Sequence, residues 1–254
     1  MFEVQPRVVP PYSKLAETYD IGLGIPFFVR TRIAFENLVQ RYGICFRTAA
    51  DLGCGTGLFA CYLSQCWCVP VFAVDRSPAM LQMARRNCRD SNICFLQQDI
   101  RQLCLPHPVD LITANFDTMN HLLNGCDLKA AFQRIHANLR PGGHFIFDLL
   151  THRQPSHIAR GIIIRLRAKA GREFLQQIQW FPWQRLLSIL AILRFSSSMP
   201  PKIEVHKERL YSPEATRRWL QETGFMIRGI HDAATLREAT SCPSRVIIVV
   251  KRFS

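Results

Sequence analysis

The chain has 254 residues, of which 48% are hydrophobic and 20% charged, so it can bury a sizeable core and is not intrinsically disordered. Its formal net charge of +13 permits acidic or nucleic-acid partners, but the basic residues are scattered rather than gathered into a block. It contains neither an apolar stretch of about 20 residues nor a signal-peptide core, so we expect a cytoplasmic protein without a membrane partner.

Of the ten cysteines, six fall within predicted helical or strand patterns, and another, Cys54, lies inside a glycine-rich loop. A chain of this length needs no disulfides for stability, and a reducing compartment keeps thiols reduced. No cysteine or histidine spacing typical of a zinc site occurs. We therefore expect reduced thiols and no metal site.

Residues 10–41 show helical spacing of apolar side chains, and a regular alternation of strands and helices follows. Helices are predicted at 58–67, 77–89 and 127–139. Such βαβ units predict a mainly parallel sheet covered by helices on both faces. The strands are predicted from continuous apolar runs at 48–52, 69–74, 93–96, 109–114 and 144–149.

The alternation ends after Leu150. The segments 173–181, 185–195 and 202–211 have no helix between them, which predicts a small antiparallel β cap inserted after the fifth strand. A helix begins at Ser212-Pro213, and two last strands complete an α/β fold with a doubly wound sheet of seven strands. The predicted domains are a core over 1–150, a cap over 151–212 that shapes the acceptor pocket, and the last helix and strands over 213–254.

Polar and glycine-rich signatures follow the predicted strands where ligands bind in open α/β sheets. The first is Asp51-Leu-Gly-Cys-Gly-Thr-Gly57, in which Leu58 stands where a dinucleotide fingerprint requires its third glycine, so a nicotinamide dehydrogenase is disfavoured. Asp75 ends the second strand, and a carboxylate there can accept hydrogen bonds from both hydroxyls of a ribose. Asp99 follows the third strand, and Asn115-Phe-Asp-Thr-Met-Asn-His121 follows the fourth.

Together with Val74-Asp75-Arg-Ser-Pro-Ala-Met80 and Leu139-Arg-Pro-Gly-Gly-His-Phe-Ile-Phe-Asp148, these motifs resemble those of class I S-adenosylmethionine-dependent methyltransferases. The chain is most similar to small-molecule enzymes of that class with an inserted β-sheet cap, including sugar N,N-dimethyltransferases. The resemblance implies a Rossmann-like core and S-adenosyl-L-methionine as cofactor. It also implies these cofactor-binding residues: Tyr19, Asp51, Gly53, Gly55, Gly57, Asp75, Arg76, Met80, Asp99, Ile100, Asn115 and Phe116.

Within that set the resemblance assigns individual roles. Asp51 holds the amino group of the methionine part, and Asp75 holds the ribose hydroxyls. Asp99 receives the adenine amine, and Tyr19 closes over the cofactor. His121 stands where sugar N-methyltransferases carry a histidine near the acceptor.

The expected reaction is transfer of a methyl group to a hydroxyl or amine of a small-molecule metabolite by in-line displacement. The protein then mainly aligns acceptor, methyl group and sulfur. His121, with an unperturbed pKa of about 6.5, is either the general base that removes the acceptor's proton or a structural group. The sequence does not distinguish O-, N- and C-methylation, and it leaves the oligomeric state open.

Two other functions remain open at this point. A nucleic-acid methyltransferase fits the net charge, but enzymes that methylate base amines place Asn/Asp-Pro-Pro-Tyr/Phe after the fourth strand, where this chain has Asn115-Phe-Asp-Thr118. A regulatory protein that binds S-adenosylmethionine without catalysis is the second alternative. The intact glycine loop and Asp75 disfavour it.

Overall fold

A computed structural model of the protein describes residues 6–89, 92–153, 162–167, 173–195, 199–240 and 243–253. Its main sheet confirms the predicted α/β fold and contains seven strands: β2 (Ala49–Leu52), β3 (Val71–Asp75), β4 (Ile93–Gln97), β5 (Val109–Ala114), β6 (Leu139–Leu150), β11 (Phe225–Asp232) and β12 (Arg245–Arg252). Their order is β11-β12-β6-β5-β2-β3-β4. β12 runs in the direction opposite to the other six strands of this sheet.

Helices cover both faces of the main sheet. Ser77 Oγ accepts a hydrogen bond from the amide of Met80, and Ser212 Oγ accepts one from the amide of Ala215, so both Ser-Pro pairs start helices as predicted. The α-helices are α1 (Ile25–Tyr42), α2 (Leu58–Cys66), α3 (Pro78–Asn87), α4 (Gly125–Asn138) and α5 (Pro213–Glu222). Between residue 10 and α1 the chain forms a 3-10 turn at Leu15–Glu17 and a π-helical turn at Asp20–Gly24, so the predicted helix over 10–41 is regular only from residue 25.

A second sheet forms the cap. It consists of β1 (Arg7–Val8), β7 (Ile162–Arg167), β8 (Glu173–Phe181), β9 (Leu186–Arg194) and β10 (Lys202–Arg209), in the order β1-β10-β9-β8-β7. Three of these strands were predicted, and they pair antiparallel. The sequence did not predict β7 or the two-residue β1, which pairs parallel with β10 and brings the N-terminal segment into the cap.

The core lies on both faces of the main sheet. Phe132, Phe145 and Phe147 are fully buried on one face, and the rings of Phe145 and Phe147 stack with centroids 4.5 Å apart. Phe35 and Phe59 pack on the other face. This close packing fixes the strand ends, and therefore the loops that follow them.

Three further features concern only the described residues. None of the helices is long and apolar enough to cross a membrane. The cysteines in the described ranges form no disulfide. Within the same ranges, no group of three or more histidine, cysteine, aspartate or glutamate side chains could hold a metal ion.

Candidate active site

The glycine loop after β2 adopts a backbone that favours glycine. Gly53, Gly55 and Gly57 all have positive φ, at 63°, 55° and 86°. A Cβ at Gly53 would lie 2.3 Å from Thr118 Oγ1, and one at Gly57 would lie 2.8 Å from Cys88 Sγ. At Gly55 the nearest atom is a backbone oxygen 4.0 Å away, so the space in front of it is open. Gly55 is therefore where a ligand can approach bare backbone.

Asp75, at the end of β3, is hydrogen-bonded to that loop. Its Oδ2 accepts a hydrogen bond from the Gly55 amide at 2.9 Å, and its Oδ1 accepts one from the Ser77 amide at 2.7 Å. Burial raises the pKa of Asp75, and the bonds from Ser77 and Gly55 partly offset this. The carboxylate is thus held rigidly, and each oxygen keeps acceptor capacity for a ligand.

A cavity of about 770 Å³ opens beside Gly55 and Asp75. This volume is within the range of sites that enclose a cofactor or metabolite. Most of the site residues expected from the sequence line it: Tyr19, Gly53, Gly55, Asp75, Arg76, Met80, Asp99, Ile100, Phe116 and His121. The remaining three, Asp51, Gly57 and Asn115, are not part of its wall.

Asp51 lies behind the glycine loop and is 2% exposed. Its Oδ1 accepts hydrogen bonds from Thr113 Oγ1 at 2.8 Å and from Asn115 Nδ2 at 3.5 Å. Burial raises the pKa of Asp51 to about 7, although the bond from Thr113 opposes the shift. In this arrangement Asp51 joins the ends of β2 and β5. A contact with the amino group of the cofactor stays a prediction.

Asp99 also lines the cavity, but its carboxylate is already engaged. Arg101 donates to it from Nε at 3.0 Å and from Nη2 at 2.7 Å, and the Arg101 amide donates to Oδ1 at 2.9 Å. These bonds lower the pKa of Asp99. An adenine amine would therefore share the Asp99 carboxylate with Arg101, and this role also stays a prediction.

His121 forms a hydrogen-bonded pair with Tyr12, which lines the same cavity. Tyr12 Oη lies 2.9 Å from His121 Nε2, and His121 Nδ1 lies 3.3 Å from the carbonyl oxygen of Lys207. Because a carbonyl can only accept, Nδ1 carries the proton and Nε2 accepts a hydrogen bond from the Tyr12 hydroxyl. Burial lowers the pKa of His121 to about 4, so the imidazole is neutral at pH 7.

Tyr12 is a site residue that the sequence analysis missed. It adopts a φ of 60°, a strained left-handed conformation for a bulky residue. Its amide donates to Glu204 Oε2 at 2.7 Å, and its ring lies 4.5 Å from that of His206. These partners are nearly 200 positions away in the chain, so no local signal in the sequence could have revealed them.

Comparison with known proteins identifies the fold and the enzyme class. Residues 49–143 match the family of methyltransferase domains. The chain therefore carries a methyltransferase domain in this segment. The predicted enzyme class and cofactor are thereby confirmed, and the glycine loop and Asp75 both fall inside the matched range.

Similarity extends beyond this methyltransferase domain into the cap. The crystal structure of an S-adenosylmethionine-dependent methyltransferase from Clostridium acetobutylicum superposes with a TM-score of 0.80 at 24% identity, covering 96% of this chain and 99% of the other. A protein of Geobacillus sp. (strain WCH70) assigned to the methyltransferases is 26% identical over 209 residues, which is 80% of this chain and 83% of the relative.

A third relative has a defined substrate. The dTDP-3-amino-3,6-dideoxy-alpha-D-glucopyranose N,N-dimethyltransferase of Streptomyces fradiae is 26% identical over 157 residues. The match covers 59% of this methyltransferase and 60% of the relative.

Proposed function

We propose that the methyltransferase transfers a methyl group from S-adenosylmethionine to a hydroxyl or amine of a small molecule, with His121 acting as base through Tyr12. The observation that carries this proposal is the neutral Tyr12–His121 pair on the wall of the cavity that Gly55 and Asp75 also line. A similar sugar N,N-dimethyltransferase supports a small-molecule acceptor.

The residues at the cavity fit S-adenosylmethionine. The open space at Gly55 admits a ligand to within contact of the backbone, and the fixed Asp75 carboxylate has acceptor capacity for two ribose hydroxyls. Met80 and Ile100 supply apolar wall in the same region. When bound, the sulfonium of this cofactor supplies an activated methyl group, so the chain needs no nucleophile of its own.

The chain then has two tasks, alignment and proton removal. Alignment of acceptor and methyl donor can contribute about 7–11 kcal/mol to lowering the barrier in favourable cases. For proton removal, the Tyr12 oxygen accepts the acceptor's proton while the Tyr12 hydroxyl proton passes to His121 Nε2. The bond from His121 Nδ1 to the Lys207 carbonyl then stabilises the charged imidazole.

The test compares His121→Ala and Tyr12→Phe with the wild type. Both variants should lower kcat by about 10²–10⁴-fold, the usual contribution of a positioned base, because each interrupts the path of the proton. Turnover is followed as release of S-adenosylhomocysteine, with a screen of small amines and alcohols that starts from dTDP-3-amino-3,6-dideoxy-α-D-glucose. Affinity for S-adenosylhomocysteine should stay within about twofold of wild type.

A matched control is His144→Ala, because burial also lowers the pKa of His144 to about 4 but this residue does not line the cavity. It should leave kcat unchanged. If His121→Ala keeps the wild-type kcat, His121 has no role in catalysis. Failure of the wild type to bind S-adenosylhomocysteine would contradict the proposed function as a whole.

A further inference from the structure

One strand of the cap contacts both members of the Tyr12–His121 pair. The carbonyl oxygen of Lys207, on β10, accepts a hydrogen bond from His121 Nδ1. The side chains of Glu204 and His206, on the same strand, are 0% and 4% exposed, and both contact Tyr12. Because side chains two positions apart in a strand point to the same side, these two reach Tyr12 together.

Glu204 fixes the backbone at Tyr12. Its Oε2 accepts a hydrogen bond from the Tyr12 amide at 2.7 Å, and its Oε1 accepts hydrogen bonds from the amides of Lys14 and Leu15 at 2.6 and 2.9 Å. The φ of 60° at Tyr12 is rare for a bulky side chain, and such a conformation persists only where surrounding contacts enforce it. The Glu204 carboxylate supplies those contacts.

His206 limits the direction of the Tyr12 ring. The two ring centroids are 4.5 Å apart, with an interplanar angle of 62°. The ring of His121 is 5.6 Å from that of Tyr12, and the ring of Tyr19 is 6.2 Å away. His206 Nε2 also lies 3.1 Å from Glu204 Oε2, the oxygen that accepts the Tyr12 amide. His206 therefore contacts both the ring of Tyr12 and the acceptor of its backbone.

Packing alone does not explain a histidine at position 206. The Nδ1 atom of His206 is buried, and no residue in the described part of the chain forms a hydrogen bond with it. A buried polar atom in this state destabilises the fold, and an apolar ring of similar size would avoid the penalty. Exceptions of this kind in native proteins are expected at functional sites.

We propose that His206 and Glu204 are positioning residues that hold the Tyr12 hydroxyl against His121. The inference rests on the proposed function and extends it to residues outside the cavity, because neither side chain is part of the cavity wall. Proton transfer requires the two heavy atoms to stay within about 2.6–3.2 Å. A displacement of about 1 Å can lower the rate by roughly 10²-fold.

The first test observes the hydrogen bond between Tyr12 and His121 and requires no acceptor. In protein labelled with nitrogen-15 at histidine, the chemical shift of His121 Nε2 reports whether this atom accepts a hydrogen bond. Tyr12→Phe removes the donor and defines the change in shift for complete loss of the bond. His206→Ala should cause at least about half of that change, because a hydrogen bond weakens steeply once the Tyr12 ring turns away.

His231→Ala is the matched control. His231 is also a buried histidine beside a tyrosine, with Nε2 2.7 Å from Tyr42 Oη, but it does not line the cavity. This variant should leave the His121 Nε2 resonance unchanged.

A second variant, His206→Phe, separates the two contacts of His206. It keeps a ring beside Tyr12 and removes only the nitrogen beside Glu204, so its resonance should lie between those of the wild type and His206→Ala. It also decides the matter if His206→Ala does not fold. An unchanged His121 Nε2 resonance in the folded variant would overturn the inference.

The second test measures turnover of the acceptor that the screen identifies. His206→Ala should lower kcat by about 10–100-fold and change KM by less than about twofold, because the cavity wall is kept while Tyr12 is misplaced. In a Tyr12→Phe background the same substitution should lower kcat by less than about twofold, because His206 acts through the Tyr12 hydroxyl. Equal losses in both backgrounds would mean that His206 acts on the fold alone, and would overturn the inference.

The outcomes separate this inference from the proposed function. If Tyr12→Phe leaves the His121 Nε2 resonance unchanged, the pair does not form in solution and both proposals fail. If Tyr12→Phe moves the resonance and the His206 variants do not, the inference is overturned while the proposed function stands. If the His206 variants move the resonance but Tyr12→Phe keeps the wild-type kcat, the positioning is confirmed and the proposed path of the proton fails.

Discussion

Asp75 stabilises the fold and, in the proposed function, also binds the cofactor. Its two oxygens accept backbone hydrogen bonds from Gly55 and Ser77, so the carboxylate ties the glycine loop to the start of α3. Rigid placement of this kind lowers the entropic cost of binding, because the acceptor oxygens are already positioned when the ligand arrives. The proposed role requires the ionised carboxylate, because its oxygens must accept hydrogen bonds both from the backbone amides and from the ligand.

Asp75→Asn should weaken binding of S-adenosylhomocysteine by roughly 10–150-fold, equivalent to about 1.5–3 kcal/mol for lost hydrogen bonds to a charged group. Calorimetric titration measures this directly. Asp232→Asn is the matched control, because Asp232 also accepts backbone hydrogen bonds, from Ala234 and Thr235, and does not line the cavity. Equal losses in both variants would mean that Asp75 acts through the fold alone.

The role of the glycine loop can be tested by comparing alanine substitutions at two glycines that have similar backbone conformations. Gly55 has φ 55° and Gly43 has φ 58°, and at both an added Cβ would meet no close atom. Alanine should therefore cost each site a similar amount of stability, about 1–2 kcal/mol, which urea unfolding measures. Only Gly55→Ala should also abolish binding of S-adenosylhomocysteine, because its methyl group enters the cavity. Retained binding there would contradict the proposed cofactor position.

Elements with a strong local pattern were predicted from sequence, and elements set by distant contacts were not. The strand Val109–Ala114 was predicted to the residue, since a continuous apolar run marks a strand buried on both faces. By contrast, Arg7–Val8 becomes β1 only because β10 lies beside it. The same holds for the candidate site: Asp75 ends a strand that the sequence predicts, whereas Tyr12 meets Glu204 and His206 only in the folded chain.

Glu204, on strand β10 of the cap, accepts hydrogen bonds from three backbone amides of the N-terminal segment and so holds that segment against the cap. Burial raises the pKa of Glu204. The hydrogen bonds that its carboxylate accepts have the larger, opposite effect, so its pKa is lowered from 4.5; they come from His206 and from the amides of Leu15, Lys14 and Tyr12. A lowered pKa in the folded state means that this stabilisation is present above pH 4.5 and is lost as the pH falls further. Acid should therefore release the segment that carries Tyr12 and Tyr19.

Glu204→Gln should release the same segment at neutral pH. The amide side chain lacks the charge and one of the acceptors that the three backbone amides require, so we expect a loss of about 3 kcal/mol in the free energy of unfolding. Hydrogen exchange at Tyr12, Lys14 and Leu15 should quicken, and affinity for S-adenosylhomocysteine should fall, because Tyr12 and Tyr19 line the cavity. Glu222→Gln, which removes exposed ion pairs with Lys129 and Arg218, should change stability by less than about 1 kcal/mol. Fast exchange without weaker binding would show that the segment does not help to hold the cofactor.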